Sequence, residues 1–102
     1  MTPQFRLTTP AIRDIEQIAD YIAHESGLAQ AERFLTMLDA KFFKITQFPN
    51  LGRQRNEILP GLRSFPMVHY LILYIPVNQD VDILRVVSGY RDLSTLFTDS
   101  DD

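Results

Sequence analysis

The run HYLILYIPV, residues 69–77, is the most apolar strand-like stretch of the chain, and its reading settles what surrounds it. Successive side chains of a strand point to opposite faces. A run that is apolar at both parities therefore belongs in the middle of a sheet, with helices covering one side. The stretch leading into it, GLRSFPMVHYLILY at residues 61–74, supplies another strand over 61–67, broken from the central one at Pro66. A further strand over 81–88 follows a hairpin around Asn78-Gln79-Asp80. Strands at such close spacing pair antiparallel, because a parallel partner needs a longer crossover.

Working back toward the N-terminus, residues 49–60, PNLGRQRNEILP, are rich in turn formers and read as an exposed connection. Before them, Ala31, Phe34, Leu35, Leu38, Phe42 and Ile45 recur at helical spacing and predict a helix of ~20 residues, about 30 Å long, ended by Pro49. Ile12, Ile15, Ile18, Ala19 and Ile22 predict an earlier helix, with Thr9 as cap, Pro10 as first residue and a stop near Ser26-Gly27. The gap between the helices is so short that they must double back as a hairpin. Met37, Phe43 and Phe48 lie off the main stripe of the second helix, which suits packing at the sheet edge and a partner groove equally. Residues 4–8 read as a first strand. Asp92 is placed to cap a short turn holding Leu93, Leu96 and Phe97.

These elements give an α+β fold: an N-terminal strand and an α-helical hairpin packed on a small antiparallel β-sheet, with a short C-terminal helical turn. At 102 residues there is room for one modest core, so residues 1–98 are expected to form a single domain and 99–102 an acidic, disordered tail.

Apolar residues at 45% and charged residues at 23% match an ordinary globular chain. No cysteine is present, which removes disulfide scaffolds, zinc ribbons and thiol catalysis together. The N-terminus lacks a leader pattern and no apolar run approaches the ~18 residues of a membrane span, so a cytoplasmic protein without membrane partners is expected. The net charge of −3 falls mostly at the C-terminal end, while Arg53, Arg55, Arg63, Arg85 and Arg91 gather in the second half. This does not suit a general polyanion binder, whose affinity comes from many phosphate contacts.

Candidate chemistry is sparse. His24 and His69 have no carboxylate at ligand-like spacing, and Gly27, Gly52, Gly61 and Gly89 are isolated, so neither a metal nor a nucleotide cofactor is implied. The arginines are the remaining candidates. Planar guanidinium groups bind phosphate or carboxylate in bidentate fashion, which makes Arg53, Arg55 and Arg91 a candidate basic patch. Each could equally pair locally, Arg63 with Glu57 or Arg91 with Asp92. Arg63 and Arg85, flanked by apolar strand residues, must find acceptors of their own or on a partner.

The succession AIRDIEQIADYIA, FPNLGRQRNEI, GLRSFPMVHYLILY and DILRVVSGYRDL, over about residues 5 to 93, resembles the ParE branch of the RelE/ParE toxins of bacterial type II toxin–antitoxin systems. The resemblance implies a helical hairpin on a small antiparallel sheet, and a toxin held in a hetero-oligomer by a cognate antitoxin whose C-terminal segment wraps it. ParE-like members are associated with poisoning DNA gyrase; RelE-like members cleave mRNA on the ribosome. RelE-type cleavage needs basic groups on the scissile phosphate and a C-terminal tyrosine. Arg63, Arg85 and Arg91 suit the basic positions, but the tyrosine position falls at Phe97 and no lysine precedes Arg63 in the loop. Tyr90, beside Arg91 on an extended segment, is expected to face the other way. No residue is therefore assigned as catalytic, and Met37, Phe43, Arg63 and Arg85 are the candidate antitoxin contacts.

Overall fold

The computed structural model describes residues 2–97; the tail assigned to 99–102 lies outside them. Five strands, β1 (Phe5–Leu7), β2 (Arg53–Gln54), β3 (Arg63–Met67), β4 (Tyr70–Val77) and β5 (Asp80–Ser88), form one sheet in the order β1-β5-β4-β3-β2. Helices α1 (Thr9–Ser26) and α2 (Leu28–Gln47) form the hairpin, and a 3-10 turn spans Leu93–Thr95. β2 through β5 pair antiparallel, whereas β1 pairs parallel with β5, so the sheet is mixed. The parallel pair is possible because the whole helical hairpin and three strands separate its members, ample for a crossover.

β4 is the central strand and its two parities go to two cores. Tyr70, Ile72 and Tyr74 meet the helices, with Phe34, Leu38, Phe42 and Ile45 from α2 and Ala11 from α1. Leu71, Leu73 and Ile75 join a second cluster on the other face, built on Leu62, Leu73 and Val87 and covered by Ile58, Leu59, Leu93, Leu96 and Phe97. The expectation of cover on one side only is thus corrected: the 49–62 connection and the C-terminal turn cover the second face. Burying a leucine or isoleucine such as Leu62, Leu73 or Ile72, each fully buried, contributes about 1.5–3 kcal/mol.

Local chemistry shifts some boundaries. Thr8, not Thr9, caps α1: its hydroxyl accepts from the Ala11 N–H at 3.2 Å and donates to the Leu84 carbonyl at 2.9 Å, tying the helix start to β5. Ile15, Ile18 and Ile22 pack on the core as their spacing requires, but the stripe begins at the buried Ala11, while Ile12 is 41% exposed. Gly27 alone separates the helices, at φ +95°, a conformation that favours glycine. The β3–β4 break lies at Val68-His69 rather than at Pro66, which pairs with Leu71 inside β3. Proline is tolerated there because β2 pairs only with Arg63 and Ser64, leaving the rest of β3 as a sheet edge. Among the described residues no helix is long and apolar enough to cross a membrane.

Candidate functional site

Arg63 lies half-buried at the start of β3, directly across from Tyr74 of β4. Its guanidinium donates to the carbonyls of Gly52 at 2.7 Å and Asn50 at 3.2 Å. The Tyr74 hydroxyl donates to the Pro49 carbonyl at 2.7 Å and accepts from the Gly52 N–H at 2.8 Å. Two side chains thus hold four backbone groups of residues 49–52, where the chain leaves α2 and enters the sheet. Tyr74 is fully buried, and a buried tyrosine hydroxyl must find partners. The expected pairing of Arg63 with Glu57 does not form; Glu57 stands 3.9 Å from Arg55 instead.

Burial pushes the Tyr74 hydroxyl above its ordinary value of 10.0, opposed by the Gly52 N–H and the Arg63 charge, which favour the phenolate. The folded chain therefore holds this proton at a pH where the unfolded chain releases it. The stability it contributes is complete below pH ~10 and falls as pH rises from there toward the folded-state value. A tyrosinate absorbance titration of the native chain is expected to show one late-ionising tyrosine, absent in Tyr74→Phe; a titration unchanged by that substitution would contradict this environment.

The other arginines divide into committed and free. Arg85 forks onto Asp14 of α1, Nε to Oδ2 at 2.7 Å and Nη2 to Oδ1 at 2.9 Å, with side-chain exposures of 19% and 12%. This hydrogen-bonded carboxylate holds the Arg85 pKa above its ordinary value, against the opposing effect of burial. Arg55 donates to the Ser64 hydroxyl at 2.9 Å. Arg53 and Arg91 are exposed and have no ion pair among the described residues. Arg53 pairs with Ser64 near the start of β3, whereas the turn of Arg91 follows Gly89, bonded to His69 beyond the end of β3. The expected Arg91–Asp92 pair does not form, since Asp92 accepts from the Ser94 N–H and hydroxyl. These hydrogen bonds lower the Asp92 pKa.

The segment after β5 turns instead of running extended. Ser88 accepts from the Tyr90 N–H through its hydroxyl and from the Arg91 N–H through its carbonyl. Tyr90 is 87% exposed. The strand-parity argument that set Tyr90 opposite Arg91 therefore does not apply. Phe97 packs against the second core.

The apolar candidates separate as well. Met37 packs partly against the helix-side core and borders a small groove with Ile22, Arg33 and Phe34. Phe43, 58% exposed, borders another recess with Phe5 and Thr46. Six residues of helix set them ~9 Å apart on different faces. A larger open cleft of about 590 Å³ lies at the end of α2, lined by Lys44, Gln47, Phe48, Pro49, Asn50 and Leu51. Its far wall is the segment held by Arg63 and Tyr74.

A family model described as the ParE toxin of the type II toxin–antitoxin system, parDE, matches residues 5–93. The chain belongs to the ParE toxin family. Among curated ParE relatives, Toxin ParE3 of Caulobacter vibrioides is 31% identical, covering 85% of this chain and 87% of that one. Toxin ParE1 of Mycobacterium tuberculosis is 27% identical, covering 91% and 96%. A solved structure titled as a chromosomal ParDE TA system from P. aeruginosa has the same fold, with a TM-score of 0.73 at 19% identity over 85% of this chain and 96% of that chain.

Within this ParE-family chain, sequence reasoning missed Tyr74, Gly52 and Asp14. One signal for Tyr74 was available: it shares strand parity with Ile72, so it faces the helices and its hydroxyl needs acceptors. No local pattern marks Gly52 or Asp14, because their partners lie 22 and more than 70 positions away.

Proposed function

We propose that this chain is the toxin half of a type II toxin–antitoxin pair, neutralised by a cognate antitoxin, and that it arrests growth by binding DNA gyrase rather than by cutting RNA. One observation carries the choice. Of the three arginines that suit the basic positions, two are already satisfied inside the fold, Arg63 on the carbonyls of Asn50 and Gly52 and Arg85 on Asp14, which leaves Arg91 alone to meet a phosphate. A guanidinium held by a bidentate carboxylate has little left for a developing oxyanion. Phe97 adds no hydroxyl and belongs to the second core. The ParE family and its named relatives support the toxin–antitoxin reading, and the resemblance to the ParE branch supports gyrase as target.

For the antitoxin contact, Phe43 presents a free side chain, and Met37 borders a groove of its own. Arg63 and Arg85 contribute by holding the surfaces around them. The test is a supercoiling assay with purified gyrase and the purified chain at micromolar concentration. Inhibition or a stabilised cleavage complex, relieved by the antitoxin, is expected. No effect on gyrase, together with cuts in ribosome-bound message that disappear in Arg91→Ala, would replace this reading with an mRNA interferase.

A further inference from the structure

Two turns lie side by side at one end of the sheet, each presenting an exposed side chain, and the first does so at a conformational cost. The first is the Val68-His69 turn between β3 and β4, in which Val68 has φ +57° and is 68% exposed. A β-branched residue at positive φ is a genuine outlier, and such strain gathers at sites that bind or switch. The equivalent turn between β4 and β5 has Asn78 at φ +59°, a residue that tolerates this region. Packing does not account for valine at 68, since most of its surface faces solvent.

The second turn is anchored to the first. The Gly89 N–H donates to the His69 carbonyl at 2.8 Å, and a Cβ on Gly89 would stand 3.3 Å from that oxygen. Ser88 then accepts from both Tyr90 and Arg91, turning the chain and leaving Tyr90 the most exposed of the large apolar side chains among the described residues. Arg91 and His69 are exposed alongside, and the adjacent carboxylate, Asp92, is occupied by Ser94. Asp92 keeps its charge, so the turn is close to neutral, but its carboxylate is turned to Ser94 and the Arg91 guanidinium has no ion pair among the described residues.

We infer that Val68, His69, Tyr90 and Arg91 form a protein-docking tip that seats in an apolar pocket rimmed by carboxylates on the partner. Tyrosine and arginine are the residue types that dominate binding hot spots, and a preformed turn avoids the cost of ordering them on contact. An aliphatic side chain kept at a strained apex fits a pocket in a protein and offers nothing to a phosphate backbone. Arg91, without an ion pair among the described residues, calls for acidic groups around that pocket. This inference rests on the reading of the chain as a toxin with a protein target.

The experiment compares the full chain with Val68→Gly, Tyr90→Ala and Tyr90→Phe. Each is induced in cells without antitoxin, and each is purified for thermal unfolding and for the gyrase assay. Val68→Gly is expected to raise Tm by about 2–4 °C, because relief of strain exceeds the added freedom of glycine in the unfolded chain. The same variant is expected to need at least tenfold more protein for growth arrest, a combination that a purely structural role would not give. Tyr90→Ala should lose arrest at unchanged Tm, and Tyr90→Phe should keep most of it.

Arrest retained by both Val68→Gly and Tyr90→Ala overturns the inference, as does a wild-type chain that arrests nothing. Binding of a labelled single-stranded RNA that Tyr90→Ala abolishes would assign the tip to nucleic acid and overturn it equally. If the wild type arrests growth without touching gyrase, the gyrase reading fails while the tip is judged on its variants. If Tyr90→Ala still inhibits gyrase, the tip fails and the gyrase reading stands.

Discussion

Gly52→Ala is expected to lose about 3–5 kcal/mol of folding stability, from overpacking and from buried hydrogen bonds left broken. A Cβ at this position would stand 2.6 Å from the Tyr74 hydroxyl, 2.7 Å from Tyr74 Cε1 and 2.9 Å from the Ser64 carbonyl. None of these is the loose end of a flexible side chain. The tyrosine ring is fully buried, its hydroxyl is held by Pro49 and Gly52 itself, and the Ser64 carbonyl belongs to β3. Either Tyr74 moves and strands the Pro49 carbonyl and Gly52 N–H, or the 49–52 segment lifts and takes the Arg63 bonds with it. A domain of this size has only ~5–15 kcal/mol in total, so much of the population would unfold under mild denaturant.

Gly27→Ala is the matched control. Among the described residues nothing lies within 4 Å of its added methyl, and the backbone at φ +95°, ψ 163° is the sole obstacle, so its cost should stay at ~1–3 kcal/mol. Urea unfolding monitored by far-UV circular dichroism separates the two. A Gly52→Ala midpoint equal to that of wild type would show that the clasp on residues 49–52 is not a determinant of the fold.

What could be read before the structure follows from how far each signal reaches along the chain. The helices and the central strand were legible because a buried face repeats every three or four residues, or every second one. Phe34, Leu38, Phe42 and Ile45 are all buried as that spacing requires. Only the first position of the α1 stripe differs, Ala11 in place of Ile12, because the helix start is set by Thr8, whose hydroxyl also bonds Leu84, 76 residues on. The parallel docking of β1 on β5 was missed for the same reason. It depends on pairings such as Phe5 with Val81, and on Arg6 reaching Asp80 and Asp82 across the strands. Those two aspartates share the second half of the chain with five arginines, yet their ion-pair partner comes from the first half.

The arginine site was legible as a set of residue types and not as a set of roles. Arg63 and Arg85 could be identified as cations needing acceptors, since burial demands that, whereas Arg55 read as part of an exposed patch. Which acceptors they found was decided by carbonyls on a loop and a carboxylate on a helix, and neither leaves a pattern in nearby sequence. Phe97 is the opposite case, because a missing hydroxyl is readable without any coordinates.

The same distance separates the residues behind the second large effect. Asp14→Ala is expected to cost about 3–5 kcal/mol, the range for removing one partner of a buried, hydrogen-bonded ion pair. Beyond Leu7 the outer edge of β5 has no neighbouring strand among the described residues, and the start of α1 takes over its hydrogen bonding. The Thr8 N–H donates to the Ile83 carbonyl, the Thr8 hydroxyl to the Leu84 carbonyl, and the Val86 N–H to Asp14 at 3.0 Å. Asp14 thus closes a sheet edge and neutralises Arg85 with one carboxylate. Removing it leaves a guanidinium that is four-fifths buried and an amide on a residue only 1% exposed. Asp14→Asn keeps an acceptor and loses the charge, so it should fall between wild type and Asp14→Ala. Replacing both partners with apolar residues, as in Asp14→Leu with Arg85→Met, should recover much of the loss, since no charge is then left buried. Hydrogen exchange gives the local readout: the Val86 amide, protected in the native chain, should exchange faster in Asp14→Ala than global unfolding alone explains. A double-mutant cycle showing no coupling between positions 14 and 85 would mean that α1 is held on the sheet by its apolar stripe alone.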